Sequence, residues 1–264
     1  MIRPESDGFA GILEAVMEEE YSSHPLADAL LVAQEQVWKT TNMGRTRDET
    51  DLYHVIDQLS SGVVAAHPSS LCYSGCGRCC HYPTAFFDIF PQEWALIKEH
   101  IEAEWEPERR ARWLERFQHE HGPYLYRIRF LEWIMGFTTA ILPTHQALPL
   151  PCPFMESDRC AIYPVRPLAC RTFGHFAAKT TPWSAPHPYA CYDQSVELRD
   201  SMAKEPLQVM LPDVSTVMLR QYAFVSGKKR VMATWIALTY FPSVMFSRWR
   251  RLHDWLWECG KKMR

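Results

Sequence analysis

Several familiar catalytic signatures are missing from this 264-residue chain. It contains no glycine-rich phosphate loop, no nucleophile elbow and no His-Glu-x-x-His helix, which argues against the enzyme classes built on those motifs. Internal repeats and low-complexity tracts are also missing, and strand-like segments do not alternate with helix-like ones. These absences argue against a repeat array or an α/β fold, and favour a mostly α-helical globular protein.

A secretory signal and a clear membrane span are missing as well. Residues 1–7 lack the basic start and the apolar run of a signal peptide, which predicts a cytoplasmic protein. The most apolar stretch, residues 231–246, is short for a membrane span and contains Pro242. We interpret it as a buried helix, with association to a membrane surface as the alternative.

The charge is unevenly distributed, although the net charge is only −3. From Lys228 to the end the chain has nine Lys or Arg and two acidic residues. Such a basic tail can contact an anionic partner or a membrane surface, but it is more often a solvated face. The sequence carries no strong signal for nucleic-acid binding.

Hydrophobic periodicity predicts helices along most of the chain. Pro25, Pro91 and Pro107 each stand where a helix is expected to begin, a position that proline favours. The predicted organisation is a helical segment over residues 1–69, a cysteine-cluster region with inserted helices over 70–192, and a helical segment with the basic tail over 193–264. The predicted helices cover about residues 8–20, 25–44, 48–63, 91–101, 107–122, 124–139 and 207–226.

The chain does have a dense cluster of cysteines, four of them within residues 72–80. Four more follow in the proline-rich residues 142–192, where regular structure is not expected. Clustered thiols in a reducing compartment bind metal more often than they form disulfides, and a bond between neighbours is strained. The predicted metal ligands are Cys72, Cys76, Cys79, Cys80, Cys152, Cys160, Cys170 and Cys191.

Charged and aromatic neighbours of these cysteines are candidates for supporting roles. Arg78, Arg166 and Arg171 are predicted to help bind the cofactor, because fixed positive charge stabilises thiolates; ordinary salt bridges are the alternative. His81 and His175 are predicted to be hydrogen-bonding residues, with metal ligation or proton transfer as the alternative. Cys259 has no partner at metal-binding spacing and is predicted to be a buried thiol.

The number of centres and the metal stay open. Eight thiolates suffice for one centre with spare ligands or for two four-thiolate centres. We expect an iron–sulfur cluster or iron, with zinc as the alternative.

Three motifs together resemble the YkgJ-type cysteine-cluster family. They are Cys-x3-Cys-x2-Cys-Cys at residues 72–80, Phe-Asp-Ile-Phe-Pro-Gln-Glu at 87–93, and the cysteine- and arginine-containing motifs between 160 and 173. That family is described as a zinc- or iron-chelating domain, so the resemblance implies metal chelation by the matched cysteines. Flagellin lysine N-methylase carries a similar cluster, which adds methyl transfer to the implied activities.

The spacing of Cys72, Cys76 and Cys79 also occurs in radical S-adenosylmethionine enzymes. Those enzymes usually have an aromatic residue just before the last cysteine and build a barrel of alternating strands and helices. In this chain Arg78 stands at that position and the alternation is missing, so a radical enzyme of that fold is not favoured.

Two classes of function therefore remain. In one, the centre belongs to a redox or methyl-transfer enzyme, for which the sequence indicates no catalytic residues. In the other, a structural zinc site organises a module that acts through protein or membrane-surface contacts.

Overall fold

The computed structural model describes residues 32, 35–66, 76–81, 88–135, 150–178, 187–189 and 214–242. Within these residues the fold is mostly α-helical, as predicted, with short two-stranded sheets. The chain divides into two compact units, one of Met1–Tyr73 with Arg171–Phe224 and one of Ser74–Cys170 with Val225–Arg264. The boundaries expected near residues 70 and 192 stay a prediction.

The helices are of moderate length and the strands have only two or three residues each. In chain order, the helices are α1 Leu52–Ala66, α2 Arg78–His81, α3 Pro91–Glu104, α4 Pro107–Glu120, α5 Leu125–Met135, α6 Leu168–Thr172, α7 Val214–Gln221 and α8 Met232–Tyr240, with 3-10 turns at Gly122–Tyr124 and Tyr163–Val165. The strands are β1 Asp88–Ile89, β2 Met155–Glu156, β3 Arg159–Cys160, β4 Phe176–Ala178, β5 His187–Tyr189 and β6 Arg230–Val231. The antiparallel pairs are β1 with β6, β2 with β3 and β4 with β5.

In the first unit, α1 confirms the helix expected from residue 48 onward. Its apolar side chains recur at helical spacing and are buried, because one face of the helix packs inward while the other stays polar. The buried face comprises Leu52, Val55, Ile56, Leu59 and Val63.

One carboxylate organises the loop before α1. Asp51 is 1% exposed. Its oxygens accept hydrogen bonds from the backbone N–H groups of Gly44, Thr46, Arg47 and Tyr53 at 2.7–3.3 Å. Burial alone raises the pKa of Asp51, but these hydrogen bonds together outweigh it and hold the pKa below its ordinary value. The ionised carboxylate therefore closes a loop that has little regular structure.

The second unit has an aromatic core to which α3, α4 and α8 contribute. Trp113 stacks on Phe154 with ring centroids 5.3 Å apart. Trp105 and Tyr240 meet the same indole edge-to-face at 5.4 and 5.8 Å. Offset and edge-to-face pairs are the favoured aromatic geometries, so this cluster fixes α3, α4 and α8 relative to one another.

The prediction of a buried helix near the C-terminal end of the chain is confirmed over α8. Met232, Ala233, Ile236 and Ala237 are each 1% exposed or less. The rest of the apolar run, residues 243–246, lies outside the described residues. Among the helices that the structure describes, none has the length and apolar character needed to cross a membrane.

Other expected helices are confirmed in part. α3 and α4 begin at Pro91 and Pro107 as predicted, and α5 covers most of the third helix of that group. The helix expected over 207–226 is shorter, at Val214–Gln221, while residues 35–39 are helical within the expected 25–44. The helix expected over residues 8–20 lies outside the described residues.

Candidate metal centre

The adjacent cysteines Cys79 and Cys80 lie on the single-turn helix α2 in the second unit. The residue before α2 is Gly77, where an added Cβ would collide with the backbone carbonyl of Asp158. Next to this contact, Cys76 forms an antiparallel β-bridge with Arg159. The α2 turn therefore lies directly on the β2–β3 hairpin, and glycine is required because the two backbones approach so closely.

The loop that carries Cys152 is held at three backbone groups. The backbone N–H of Cys152 donates to the carbonyl of Cys80 at 2.7 Å. The indole N–H of Trp113 donates to the carbonyl of Pro153 at 2.8 Å. On the other side, Nε2 of His121 lies 3.0 Å from the carbonyl of Pro151. These contacts fix the backbone on both sides of the cysteine.

His121 is suited to this anchoring role because it is neutral. Burial lowers the pKa of His121. A neutral imidazole carries one N–H, and the neighbouring carbonyl of Pro151 is an acceptor, so the proton is assigned to Nε2.

The third segment brings in Cys160 and Cys170. Cys160 ends β3, opposite Met155 in the hairpin. Cys170 lies on α6, whose first residue, Leu168, donates its N–H to Oε1 of Glu93 at 2.8 Å. A hairpin and a short helix thus place two further sulfurs near the α2 turn.

The segments enclose one small cavity of about 30 Å³. A volume of that size holds one or two water-sized species. Its walls are dominated by thiols, with one cationic side chain and one proline. The lining residues are Cys76, Cys79, Cys80, Cys152, Cys160, Ile162, Tyr163, Arg166, Pro167, Cys170 and Met232.

The thiol of Cys80 is the centre of a hydrogen-bonded group of sulfurs. Its sulfur lies within hydrogen-bonding reach of the sulfurs of Cys152, Cys160 and Cys79, and because contact with these sulfurs favours the protonated thiol, the pKa of Cys80 is raised. Cys79 has its pKa lowered to about 7, first by the bond from Cys80 and further by the charge of Arg166. The pKa of Cys160 is lowered first by Cys80, then by a hydrogen bond from the backbone N–H of Ile162 and by the charge of Arg166. Four sulfurs thus converge, and two of them favour the thiolate form that binds metal.

Cys170 differs from these four. Burial raises its pKa well above the ordinary value, and neighbouring thiol groups raise it further. Arg166 partly opposes the effect, and its guanidinium lies 3.9 Å from the centre of the Tyr163 ring. Cys170 therefore enters the cavity as a neutral thiol.

The thiols are not yet arranged as an ion would arrange them. Among the residues that the structure describes, no three His, Cys, Asp or Glu side chains already surround a point that could hold a metal ion. The sulfurs instead bond to one another through their hydrogens, which metal binding displaces because the ligand is the thiolate. The donor set nevertheless fits a thiophilic ion, which Cys79, Cys80, Cys152 and Cys160 would hold.

The family comparison agrees with this donor set. Residues 71–191 match the CxxCxxCC family, described as a putative zinc- or iron-chelating domain. The match covers less than half of the 264 residues. No curated protein and no solved structure matches the chain. Metal chelation by zinc or iron is therefore the function that the family match supports.

Six of the eight predicted ligands lie within the described residues, and all six line the cavity. Cys72 and Cys191 lie outside the described residues, as does Cys259. The assignment of each cysteine as a ligand stays a prediction.

The predicted supporting residues separate into different environments. Arg166 lines the cavity, whereas Arg171 forms an ion pair with Asp57 in the first unit, where its guanidinium also lies 4.1 Å from the centre of the Tyr53 ring. Arg78 is exposed at the start of α2. The predicted role of these three arginines in binding the cofactor stays a prediction.

The two predicted histidines also differ. The imidazole of His81 lies 2.9 Å from a carboxylate oxygen of Asp158, an exposed contact between α2 and the hairpin. His175 is a buried residue of the first unit. The contact of His81 agrees with the predicted hydrogen-bonding role, and the role of His175 stays a prediction.

Three anchoring residues were not predicted from the sequence. Glu93, Trp113 and His121 each bond to a backbone group next to or near a cysteine, over 30 to 75 positions of sequence. Only Glu93 carried a signal, because it ends the family-like motif at residues 87–93.

Proposed function

We propose that the region matched by the CxxCxxCC family model, residues 71–191, binds a single thiolate-ligated metal ion that organises its irregular cysteine-rich segments. The observation that carries the proposal is the convergence of four sulfurs, those of Cys79, Cys80, Cys152 and Cys160, on one cavity. Four thiolates are the donor set of closed zinc and mononuclear iron sites.

The size of the cavity supports a single ion. About 30 Å³ accommodates an ion that takes the place of the thiol hydrogens. An iron–sulfur cluster brings its own sulfides and additional iron atoms, so it takes up more space than a single ion. Zinc is the first candidate because its filled d shell imposes little geometric preference, and iron is the second.

A metal-organised module accounts for the local structure. The segments around the cavity are a four-residue helix, two-residue strands and a five-residue helix. Such short elements contain few hydrogen bonds of their own, and metal binding adds its free energy to folding. The closed donor set supports a structural role in preference to a catalytic one, which needs an open coordination position.

An iron–sulfur cluster remains the second type of centre to consider, and the number of thiols supports it. Six cysteines line the cavity, two more than one tetrahedral ion uses. Methyl transfer and redox catalysis stay predictions, as do a cytoplasmic location and an anionic partner or membrane surface for the basic tail.

The test is metal content, acid-labile sulfide and visible absorption of the full chain purified without oxygen. We expect about one metal ion per chain, no sulfide and, for zinc, no visible absorption. Iron without sulfide would show that the bound ion is a single iron ion and not zinc. Iron with stoichiometric sulfide would establish the cluster in place of a single ion, and protein without bound metal after incubation with zinc or ferrous ions would overturn both.

A further inference from the structure

A buried carboxylate outside the set of thiols connects two segments of the second unit. Glu93 is 2% exposed and lies in the first turn of α3. Its Oε2 accepts the N–H of Phe90 at 2.9 Å, which closes the start of its own helix. Its Oε1 accepts the N–H of Leu168 at 2.8 Å. One side chain thus joins the start of α3 to the start of α6.

The second contact bears directly on the cavity. Leu168 lies midway between Arg166 and Cys170, which both line the cavity. Its side chain is fully buried. Because Pro167 has no N–H, Leu168 offers the first amide donor after the proline, and Glu93 accepts it. The bond therefore holds the segment that carries both the cationic side chain of the cavity wall and one of its thiols.

We infer that Glu93 is a positioning residue for the metal centre. It acts by holding the segment from Arg166 to Cys170 against α3, so that the guanidinium stays beside the thiolates when they bind the ion. This inference rests on the proposed function and extends it to a residue that does not touch the metal.

The expected effect follows from how outer contacts support metal ligands. Glu93→Gln keeps the size of the side chain but replaces one acceptor oxygen with an NH2 group, so one of the two backbone N–H groups loses its acceptor. Changes to the outer contacts that support a metal centre typically lower metal affinity by about 10–100-fold. We expect a loss of that size together with a changed ligand geometry.

The experiment uses Co²⁺ as the probe, added to the reduced, metal-free full chain. Thiolate-to-cobalt charge-transfer bands report the number of bound sulfurs, and d–d bands report the coordination geometry. For Glu93→Gln we expect a Kd for Co²⁺ raised by about 10–100-fold and shifted d–d bands.

Asp51→Asn is the matched control. It makes the same carboxylate-to-amide change at a buried acceptor of backbone N–H groups, in the first unit. We expect it to lower the melting temperature while the Co²⁺ affinity and bands stay as in the original protein. A purely structural role for Glu93 would give this same pattern in Glu93→Gln and would overturn the inference.

A second variant keeps the test usable if Glu93→Gln does not fold. Glu93→Asp keeps the charge but is one methylene shorter, so it cannot reach both N–H groups, and it is expected to change the bands in the same direction. Failure of both variants to fold would overturn the inference, because Glu93 would then be required by the fold and not specifically by the site. An original protein that binds no Co²⁺ would overturn the proposed function and the inference together, whereas unchanged binding in the variants would overturn the inference alone.

Discussion

Two irregular segments of this protein are held in their conformations by different kinds of contact. The loop over residues 42–51 in the first unit is closed by the carboxylate of Asp51, which accepts several backbone N–H groups. Residues 150–170 in the second unit depend on side chains from elsewhere in that unit, such as Trp113 and His121. The first segment contains its own organising group, and the second does not.

The difference lies in the chemistry of the organising side chains. A buried carboxylate is charged and offers two strong acceptor oxygens, so Asp51 satisfies its loop without a ligand. A thiol is a weak donor and a weak acceptor, and the thiols of Cys80 and its neighbours bond mainly to one another. An irregular segment lined by thiols is therefore expected to need a metal ion, whereas one closed by a carboxylate is not.

The largest expected effect comes from removing the central sulfur. Cys80→Ser deletes the thiol that contacts three other sulfurs, and we expect bound metal to fall from about one ion per chain to near zero. Metal analysis after gel filtration measures it. Cys259→Ser is the control, because Cys259 lies outside the family match at residues 71–191 and its replacement should leave the metal content unchanged. Equal metal loss in both variants would contradict the assignment.

Removal of the metal with a chelator should change hydrogen exchange in one of the two irregular segments and not in the other. Hydrogen exchange measured before and after metal removal should show faster exchange at the N–H of Cys152, by about tenfold, or ~1.4 kcal/mol of local opening free energy. The N–H of Thr46, which donates to Asp51, should keep its exchange rate. If both amides lost protection together, the comparison between a metal-dependent and a metal-independent segment would be wrong.

The close approach at Gly77 predicts a clear loss of stability. Gly77→Ala places a Cβ against the carbonyl of Asp158, and we expect unfolding free energy to fall by about 1–3 kcal/mol. Denaturant unfolding measures it. Gly62→Ala is the matched control, because nothing lies within 4 Å of a Cβ there and the site is inside α1. That control should be stabilised by about 0.5–1 kcal/mol, since alanine favours helix.

The last effect concerns Asp51 and pH. Because the pKa of Asp51 is lower in the folded chain than its ordinary value of 3.8, the ionised carboxylate stabilises the fold above that value. This contribution is lost as the pH falls from about 4 through the lower, folded pKa. Asp51→Asn should lower the unfolding free energy at pH 7 by about 1–2 kcal/mol and remove this part of the acid sensitivity.

Unfolding curves of both proteins between pH 7 and pH 2 measure the difference. The gap between them should narrow as the pH falls. A gap that is constant over this range would show that the charge of Asp51 does not stabilise the loop.

Much of the helical structure was predictable because its signals are local. The apolar face of α1 and the prolines at the starts of α3 and α4 can be recognised within one or two turns of sequence. The cysteine spacing at residues 72–80 likewise indicated a metal site, since few other functions place four thiols so close together.

The support of the site was not predictable in the same way. The carbonyls of Pro151 and Pro153 are bound by His121 and Trp113, and the amide of Leu168 is bound by Glu93. In each pair one partner is a backbone group, which every residue possesses, so no residue type marks it in the sequence. Such contacts are visible only after the chain has folded.

The sequence by itself determined the mostly helical fold class and the thiol-rich character of the metal region, because periodicity and ligand chemistry belong to residue types. Only the tertiary structure decided which sulfurs meet. It brings Cys79 and Cys80 to Cys152 and Cys160 and raises the thiol pKa values of Cys80 and Cys170. The physical reason is that sulfur–sulfur contacts and thiol pKa values depend on distance and burial in space, which spacing along the chain does not specify.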